Sequence, residues 1–302
     1  MPATLEKSVP SKPFLKWAGG KSQLIDEIDK RLPNELRTGE IDTYIEPFAG
    51  GGAVFFHIAK NFGTIRHFYL FDVNEDLIAC YNTIKNDVEA LIGELQELAH
   101  IYRSSKNTKE LYLSIRQKFN ETKYRWTIVN AAQLIFLNKT CFNGLYRVNK
   151  QGYFNVPFGG YEYPPICNPK NLRNVSSLLR KTKIICTDFE ASLRYLDDHT
   201  FVYFDPPYRP ISRTASFTSY SKDSFSEEDQ IRLANFCRKI HKKDAKFLLS
   251  NSDPQNENPD DHFFQDHYGN YGFHIDKVKA SRAINCKGTG RGQINELLIT
   301  NY

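Results

Sequence analysis

The stretch that decides the fold is residues 201–208, which read Phe201-Val202-Tyr203-Phe204-Asp205-Pro206-Pro207-Tyr208. Its first four residues are apolar or aromatic, a composition typical of a short buried strand. The two prolines after the aspartate cannot continue a central strand, so the chain leaves the sheet there. Because open α/β sheets bind ligands at the carboxyl ends of their strands, the stretch predicts a site at that edge.

Other short apolar runs predict further strands of the same sheet. These strands are expected at 43–45, 68–71, 183–186 and 246–249, with a last one at 296–300 after an antiparallel turn near 288–292. Amphipathic stretches predict helices at 21–31, 52–60, 168–180 and 226–242. Ser226, followed by Asp229, resembles a helix cap. The alternation of strands and helices indicates an α/β fold with a largely parallel sheet and helices on both faces.

The stretch 78–165 interrupts this alternation. Helical patterns at 91–102, 111–119 and 129–137 lead into a segment in which apolar residues alternate on either side of 149–152. That second pattern is typical of a β-hairpin. We therefore predict a mostly helical insert that carries a hairpin, within an otherwise regular α/β domain.

Composition and charge limit the class of protein. The 302 residues are 40% hydrophobic and 25% charged, which is ordinary for a soluble globular chain. No apolar run is long enough to span a bilayer and no signal-peptide core is visible, so we expect a cytoplasmic protein without membrane partners. The six cysteines are scattered and the eight histidines form no ligand pattern, so neither disulfides nor a metal are expected.

The net charge of +5 is unevenly distributed. Residues 101–150 contain ten Lys and Arg residues but only two Glu, so this segment carries +8 and the remainder about −3. Aromatic residues are interleaved with these cations, namely Tyr102, Tyr112, Phe119, Tyr124, Trp126, Phe142 and Tyr146. Cations for phosphates and rings for stacking favour a nucleic-acid surface, although a solvated helix face can carry similar charges.

A glycine-rich loop follows the first predicted strand, reading Glu46-Pro47-Phe48-Ala49-Gly50-Gly51-Gly52. Asp72 ends the next strand, twenty residues after Gly52, where doubly wound folds place an acid that binds a ribose. Phe55 stands where the dinucleotide fingerprint needs a third glycine, which disfavours a nicotinamide-dependent dehydrogenase. The loop and the acid together favour an adenosine-type ligand over a plain strand-to-helix turn.

The tetrapeptide at 205–208 suits chemistry on a planar amine. The lone pair of such an amine is delocalised into its ring, and hydrogen bonds to the Asp205 carboxylate and the Pro206 carbonyl would localise it. Tyr208 would hold the ring by stacking, and a sulfonium methyl group needs no further activation. A proline-rich turn with a capping aspartate is the simpler alternative. By itself the tetrapeptide indicates only a methylator of amines or amides.

Together these motifs resemble the Dam-type (D12 class) adenine-N6 DNA methyltransferases, close to those of GATC-modifying systems. The resemblance covers nearly the whole chain and the order of its motifs. It implies a Rossmann-like methyltransferase fold, with an S-adenosyl-L-methionine-binding domain at 1–77 and 166–302 and a target-recognition domain at 78–165. It also implies double-stranded DNA as partner, with the target adenine flipped out, and we expect a monomer.

The resemblance further implies the site residues. It assigns catalysis to Asp205, Pro206 and Tyr208. The positions similar to the family's cofactor-binding motifs are Trp17, Lys21, Glu46, Phe48, Gly50, Asp72, Asp188, Phe189 and Asp205. The positions similar to its GATC-reading element are Lys16, Phe142, Asn143, Leu145, Arg147, Pro157 and Tyr161. Within that element, Phe142 would wedge into the duplex, Arg147 would read a guanine, and Lys16 would help to read the outer guanine.

Residues 209–224 are rich in serine and threonine and are expected to form a mobile loop that closes over the flipped base. Two alternative functions stay open at the level of sequence. One is a methyltransferase acting on RNA or on a protein amide, which the basic insert disfavours. The other is a catalytically silent DNA-binding protein on the same scaffold, which the intact Asp205 and Tyr208 disfavour.

Overall fold

The computed structural model describes residues 11–209, 225–281 and 293–302. Its α-helices in these ranges are α1 (Ile25–Lys30), α2 (Asn34–Thr38), α3 (Ala53–Asn61), α4 (Glu75–Asn86), α5 (Val88–Ser104), α6 (Thr108–Glu121), α7 (Ile128–Thr140), α8 (Pro169–Leu179), α9 (Glu227–His241) and α10 (Phe263–His267). Its strands are β1 (Thr43–Glu46), β2 (His67–Asp72), β3 (Thr182–Cys186), β4 (Thr200–Phe204), β5 (Lys246–Ser252), β6 (His274–Ser281) and β7 (Gln293–Thr300). The α/β class and each of the predicted strands are confirmed.

The described residues form two compact units. The first unit comprises residues 11–20, 50–63 and 72–186, and contains α3 to α8 with β3. The second comprises 21–49, 64–71 and the described part of 187–302, and contains the remaining helices with nearly all the remaining strand residues. The predicted division into an insert at 78–165 and a surrounding domain stays a prediction.

The sheet of the second unit runs in the order β2-β1-β4-β5-β7-β6. The pairings β2-β1, β1-β4 and β4-β5 are parallel, whereas β7 runs antiparallel to both β5 and β6. The sheet is therefore largely parallel, as predicted. Every residue of β1 and β4 is buried, which explains the apolar run 201–204 in β4 and the apolar pair Tyr44 and Ile45 in β1.

Two loops leave the sheet side by side in this unit. β1 pairs with β4 in parallel register, Thr43 opposite Thr200 and Ile45 opposite Val202. Parallel neighbours end at the same edge, so the loop after Glu46 and the tetrapeptide after Phe204 leave the sheet together. Helix α9 begins with the predicted cap, in which the Ser226 hydroxyl accepts a hydrogen bond from the Asp229 amide.

The first unit is mostly helical, and α7 lies at its centre. This helix is buried on nearly all sides, through Asn130, Ala131, Ala132, Gln133, Leu134, Ile135, Phe136, Leu137, Asn138 and Thr140. A helix that is apolar all round belongs in a core rather than on a surface. Its end leads directly into a single 3-10 turn, Phe142–Gly144, at the start of the predicted hairpin.

The hairpin is present but short. A single antiparallel bridge joins Val148 and Phe154. The Asn149 amide donates to the Tyr153 carbonyl at 2.9 Å, and the Asn155 amide donates to the Arg147 carbonyl at 3.1 Å. The predicted alternation is thus confirmed as a tight turn with one bridge rather than as two extended strands.

Two elements differ from the sequence prediction. The helix expected at 21–31 is divided into a 3-10 turn, Lys21–Gln23, and α1, because the first turn buries the Lys21 side chain. Strand β6 was not predicted, since the charges along it hide its alternation, with Val278 and Ala280 buried. The turn expected near 288–292 lies outside the described residues.

Candidate active site

In the second unit, the Asp205 carboxylate sits directly beyond the end of β4. The Lys21 ammonium lies 2.6 Å from Asp205 Oδ1, and the Lys21 side chain is 4% exposed whereas that of Asp205 is 22% exposed. Ser250, on the neighbouring strand β5, donates its hydroxyl to the same carboxylate oxygen at 3.2 Å. Both partners bind Oδ1, so among the described residues Oδ2 has no partner and remains available to a ligand.

The pKa of the Asp205 carboxyl depends on burial and, in the opposite direction, on the Lys21 and Ser250 side chains. Burial raises the pKa of the Asp205 carboxyl above its ordinary value, because a carboxylate is poorly solvated there. The Lys21 ammonium and the Ser250 hydroxyl act in the opposite direction by stabilising the ionised form. Without the lysine the carboxylate would be a buried charge with no counter-ion.

The prolines of the tetrapeptide are held from helix α9. Gln230 is 0% exposed, and its amide nitrogen donates to the Pro207 carbonyl at 2.9 Å. Asn251 on β5 donates in turn to the Gln230 amide oxygen at 3.3 Å. Within the described ranges no hydrogen bond reaches the carbonyl of the buried Pro206, which lies next to Asp205 in the chain.

Tyr208 is held at its hydroxyl and over its ring. The hydroxyl donates to the Glu296 carboxylate on β7 at 2.5 Å. The Lys21 ammonium lies 4.6 Å from the centroid of the ring, a cation–π geometry. Lys21 therefore contacts both Asp205 and Tyr208, and fixes the two side chains relative to each other.

The other predicted cofactor residues of this unit are packed to different degrees. Glu46 is buried and accepts a hydrogen bond from the Tyr44 hydroxyl at 2.6 Å. The half-buried Phe48 ring packs against Phe189, with 5.5 Å between centroids. Asp188 accepts from the Arg232 guanidinium at 2.8 Å. Since Phe189 is almost fully buried, its side chain supports Phe48 more than it offers surface to a ligand.

In the first unit, Asp72 organises the glycine-rich loop. One carboxylate oxygen accepts from the Gly50 amide at 3.0 Å, and the other accepts from the Asn74 amide at 2.9 Å. Burial raises the pKa of Asp72, and these backbone donors oppose the rise. The acid thus ties the loop before α3 to the start of α4.

Trp17 lies against the same loop. A Cβ atom added at Gly50 would lie 3.0 Å from Trp17 Cδ1, and Gly50 has a φ of +46° that disfavours other residues. The opposite neighbour of Trp17 is the Tyr146 ring, stacked at 5.4 Å, whose hydroxyl donates to Asp76 at 2.7 Å. The glycine is therefore needed for the approach of the indole.

Lys16 and the turn after α7 are held together by Asn138. This side chain is 2% exposed, accepts from the Lys16 amide at 2.8 Å, and donates to the carbonyls of Lys16 and Gly144 at 2.8 and 3.0 Å. A Cβ atom at Gly144 would lie only 2.3 Å from Lys16 Cδ, so glycine is required for this contact. The structure thereby places Lys16 beside the predicted recognition hairpin.

The remaining predicted recognition residues surround this turn. Phe142 is 51% exposed, and its amide donates to the Pro157 carbonyl at 2.9 Å. Asn143 is exposed with a left-handed φ of 55°, and its amide donates to the Tyr161 hydroxyl at 3.2 Å. Lys16 Nζ lies 4.9 Å from the centroid of the Tyr161 ring. An exposed ring and an exposed amide thus protrude from a backbone that is fixed at both ends.

Arg147 stands exposed on the hairpin, oriented by Asn155. Its Nε donates to the Asn155 side-chain oxygen at 2.7 Å and its Nη2 donates to the Asn155 carbonyl at 3.2 Å. A guanidinium has five N–H donors, so three remain for a ligand. Leu145 is half-buried, and its carbonyl accepts from the Cys141 thiol at 3.3 Å.

Three further observations concern metal ligands, membrane-spanning helices and the loop at 209–224. The described residues hold no group of three metal-ligating side chains. No helix in the described ranges is long and apolar enough to cross a membrane. The expected closing loop lies outside the described residues from 210 onward, and only Arg209 is described, bound to Asp261 at 2.5 Å.

A comparison with protein families decides the identity. A family model described as D12 class N6 adenine-specific DNA methyltransferase matches residues 17–284, which is most of the chain. The chain belongs to this family. Membership implies S-adenosylmethionine as methyl donor and DNA as substrate, and it agrees with the observed α/β fold.

Individual relatives of this methyltransferase resemble it over almost its whole length. Type II methyltransferase M.MjaIII of Methanocaldococcus jannaschii is 52% identical over 295 residues, which cover 96% of this chain and 99% of that protein. Type II methyltransferase M1.LlaDCHI of Lactococcus lactis subsp. cremoris is 36% identical, with coverage of 96% and 95%. The DNA adenine methylase of Escherichia coli strain K12 is 33% identical, with coverage of 95% and 94%.

Sequence reasoning missed several residues that build the site of this methyltransferase. These are Asn138, Gln230, Ser250 and Glu296, each of which holds a predicted site residue. The available signal was a polar side chain in a mostly apolar helix, as at Asn138 in α7. Such a polar residue does not reveal which residue it contacts, because the residue that it contacts is often distant in the sequence.

We predict that Asn138→Ala lowers the free energy of unfolding of the methyltransferase by about 1–3 kcal/mol, since three backbone groups in buried or part-buried hydrogen bonds lose their partner. Urea denaturation measures the loss. Asn61→Ala is the control, because its amide bonds only within its own helix turn. Equal destabilisation by both variants would contradict a clamping role for Asn138.

We also predict that Lys21→Met raises the pKa of Asp205 further, because burial is then no longer opposed by the ammonium. A carboxyl-carbon NMR titration of the methyltransferase measures the shift. Lys30→Met is the control, since the exposed Lys30 pairs with Glu27 instead. An unchanged or lower pKa of Asp205 in Lys21→Met would disprove the coupling.

Proposed function

We propose that this methyltransferase modifies N6 of an adenine that is flipped out of duplex DNA, within the sequence GATC. The observation that carries the proposal is the arrangement of acceptor groups after β4. Asp205 Oδ2 and the Pro206 carbonyl have no hydrogen-bond partner among the described residues, and Tyr208 is held beside them. A base inside a stacked duplex cannot reach such a recess, so the proposal includes base flipping.

The proposed catalytic step uses these three groups directly. The N6–H bonds point to the carboxylate of Asp205 and the carbonyl of Pro206, which localises the nitrogen lone pair. Tyr208 stacks on the adenine and fixes its plane. S-adenosylmethionine supplies an electrophilic methyl group when bound. The N6 lone pair would be directed at this methyl carbon, the sulfonium sulfur would keep the electrons of its broken bond to the methyl group and leave as a neutral thioether, and the N6 proton would pass to solvent.

The described residues of the first unit fit the adenosine part of the donor. The Asp72 carboxylate accepts from the Gly50 and Asn74 amides, and a carboxylate has about four lone-pair sites, so it could also accept from a ribose hydroxyl. At Gly50 a Cβ atom would lie 3.0 Å from Trp17 Cδ1, so glycine brings the indole close to the loop backbone. We assign Trp17, Gly50 and Asp72 to donor binding.

Donor-binding roles in the second unit are proposed on chemical grounds. Lys21 and Asp205 form a charged pair, and the Phe48 ring offers a half-buried apolar surface. Glu46 and Asp188 supply carboxylates, and Phe189 supports Phe48 from behind. Each of these assignments rests on the residues of this unit alone.

The proposal of GATC rests on the hairpin of the first unit, and makes 78–165 the target-recognition region. Three N–H groups of Arg147 remain after its bonds to Asn155, and a fork of two matches guanine O6 and N7. Phe142 is the exposed ring suited to fill the gap left by the adenine, with Asn143 beside it. Lys16 supplies a second cation at the outer guanine.

We predict that Asp205→Ala abolishes methyl transfer to GATC duplexes while most DNA affinity remains. The carboxylate localises the lone pair of N6 but is not needed to hold the duplex. Tritiated methyl transfer and a fluorescence binding assay measure the two properties. Asp198→Ala, at an exposed acid on the β3–β4 connection, is the matched control and should keep full activity. Turnover by Asp205→Ala would refute the mechanism.

We predict that Arg147→Ala relaxes discrimination at one guanine of GATC by about 1–3 kcal/mol. Transfer rates on duplexes with single substitutions measure it. Lys150→Ala, at the exposed tip of the same hairpin, should weaken binding to all sequences alike. If Arg147→Ala also lowers activity uniformly, Arg147 contacts phosphate and the guanine assignment is wrong.

A further inference from the structure

Glu296 stands at a rigid position in the sheet of the second unit. It lies on β7, opposite Ser252 on β5 and Val278 on β6. A residue paired on both sides has a fixed backbone, so its carboxylate is a fixed point. The adjacent Asn295 bonds through its backbone to Asn256, and by strand alternation its side chain points to the other face.

The contact from this carboxylate to Tyr208 is a strong one. The distance of 2.5 Å lies within the range of hydrogen bonds from a hydroxyl to an ionised acceptor. Burial raises the pKa of the Tyr208 hydroxyl, which therefore keeps its proton and donates. Burial also raises the pKa of Glu296, whereas the Tyr208 hydroxyl and the Lys21 ammonium stabilise its carboxylate.

Stacking requires control of the ring plane, and the tyrosine ring can rotate about two side-chain torsions. The Lys21 ammonium lies over the Tyr208 ring, so the base of the proposed function would stack on the opposite face. The bond to Glu296 holds the hydroxyl at the far end of the ring. Two contacts at separate points of the side chain restrict both torsions.

We propose that Glu296 is a positioning residue for methyl transfer, which sets the plane of the Tyr208 ring through its hydroxyl. It touches neither base nor donor and acts only through Tyr208. The inference rests on the proposed function of Tyr208 as the stacking partner of the target adenine. It accounts for a carboxylate in the middle of a central strand, where burial opposes its charge.

The test is a double-mutant cycle with Glu296→Ala and Tyr208→Phe, followed by single-turnover methyl transfer. Each single variant should lower the transfer rate about ten-fold, since each removes one hydrogen bond to a charged group. The double variant should be no slower than either single variant, because both changes remove the same contact. Michaelis constants for DNA and for S-adenosylmethionine should stay within about two-fold of wild type.

Two further variants separate positioning from general stability. Glu296→Gln keeps an acceptor oxygen and should recover most of the rate lost in Glu296→Ala. Asn295→Ala changes the neighbouring side chain on β7 and should retain the wild-type rate. Fluorescence of a duplex with 2-aminopurine at the target position should report weaker stacking in Glu296→Ala than in Asn295→Ala.

Several outcomes would overturn the inference. If the loss of transfer rate in the double variant equals the product of the two single losses, Glu296 acts independently of Tyr208. A Glu296→Gln variant as slow as Glu296→Ala would show that the hydrogen bond is not what matters. Failure of the proposed function gives a different result, since Tyr208→Ala would then retain the full rate. If Tyr208→Ala is slow and the rate losses multiply in the double variant, only the positioning role of Glu296 is refuted.

Discussion

The ion pair between Lys21 and Asp205 is the interaction on which the site of the second unit depends. A buried carboxylate is unfavourable unless it is paired, and Lys21 supplies the counter-charge at 2.6 Å. The same ammonium lies over the Tyr208 ring, so one cation fixes both the acid and the aromatic group. Glu296 and Gln230 then hold the tyrosine hydroxyl and the proline backbone. Asp205, Pro207 and Tyr208 are therefore each held by a neighbouring side chain.

In the first unit, the amide side chains of Asn138 and Asn155 hold the predicted recognition residues in place. Asn138 bonds to both the Lys16 and the Gly144 backbone, and so fixes two segments that are distant in sequence. Asn155 orients the Arg147 guanidinium in the same way and leaves its remaining donors exposed. The side chains proposed to read DNA are thus exposed at their tips and fixed at their bases. Such an arrangement limits the conformational entropy lost on binding.

Much of the secondary structure could be predicted from the sequence, because apolar residues recur at the spacing with which a helix or strand buries them. The run that became β4 is continuous and apolar after Thr200, and apolar residues form the centres of β1 (Tyr44, Ile45) and β5 (Phe247, Leu248, Leu249), as strands buried on both faces require. Strand β6 was missed because the charges along it mask its alternation. The first helix was predicted one turn too long, since periodicity over three residues cannot distinguish a 3-10 turn from an α-helix. The hairpin was predicted correctly but has only one bridge.

Local sequence predicts the chemistry proposed for this protein, through an acid, two prolines and an aromatic ring after a buried strand, a glycine-rich loop with a spaced acid, and a basic, aromatic insert. Each of these features is formed by residues that are close together in the chain. The side chains that hold them are visible only in the folded protein. Lys21 pairs with Asp205 across 184 positions and Tyr208 with Glu296 across 88, and no local pattern records such distances. These residues pair because a polar group that is removed from water needs a hydrogen-bonding or charged partner within the protein.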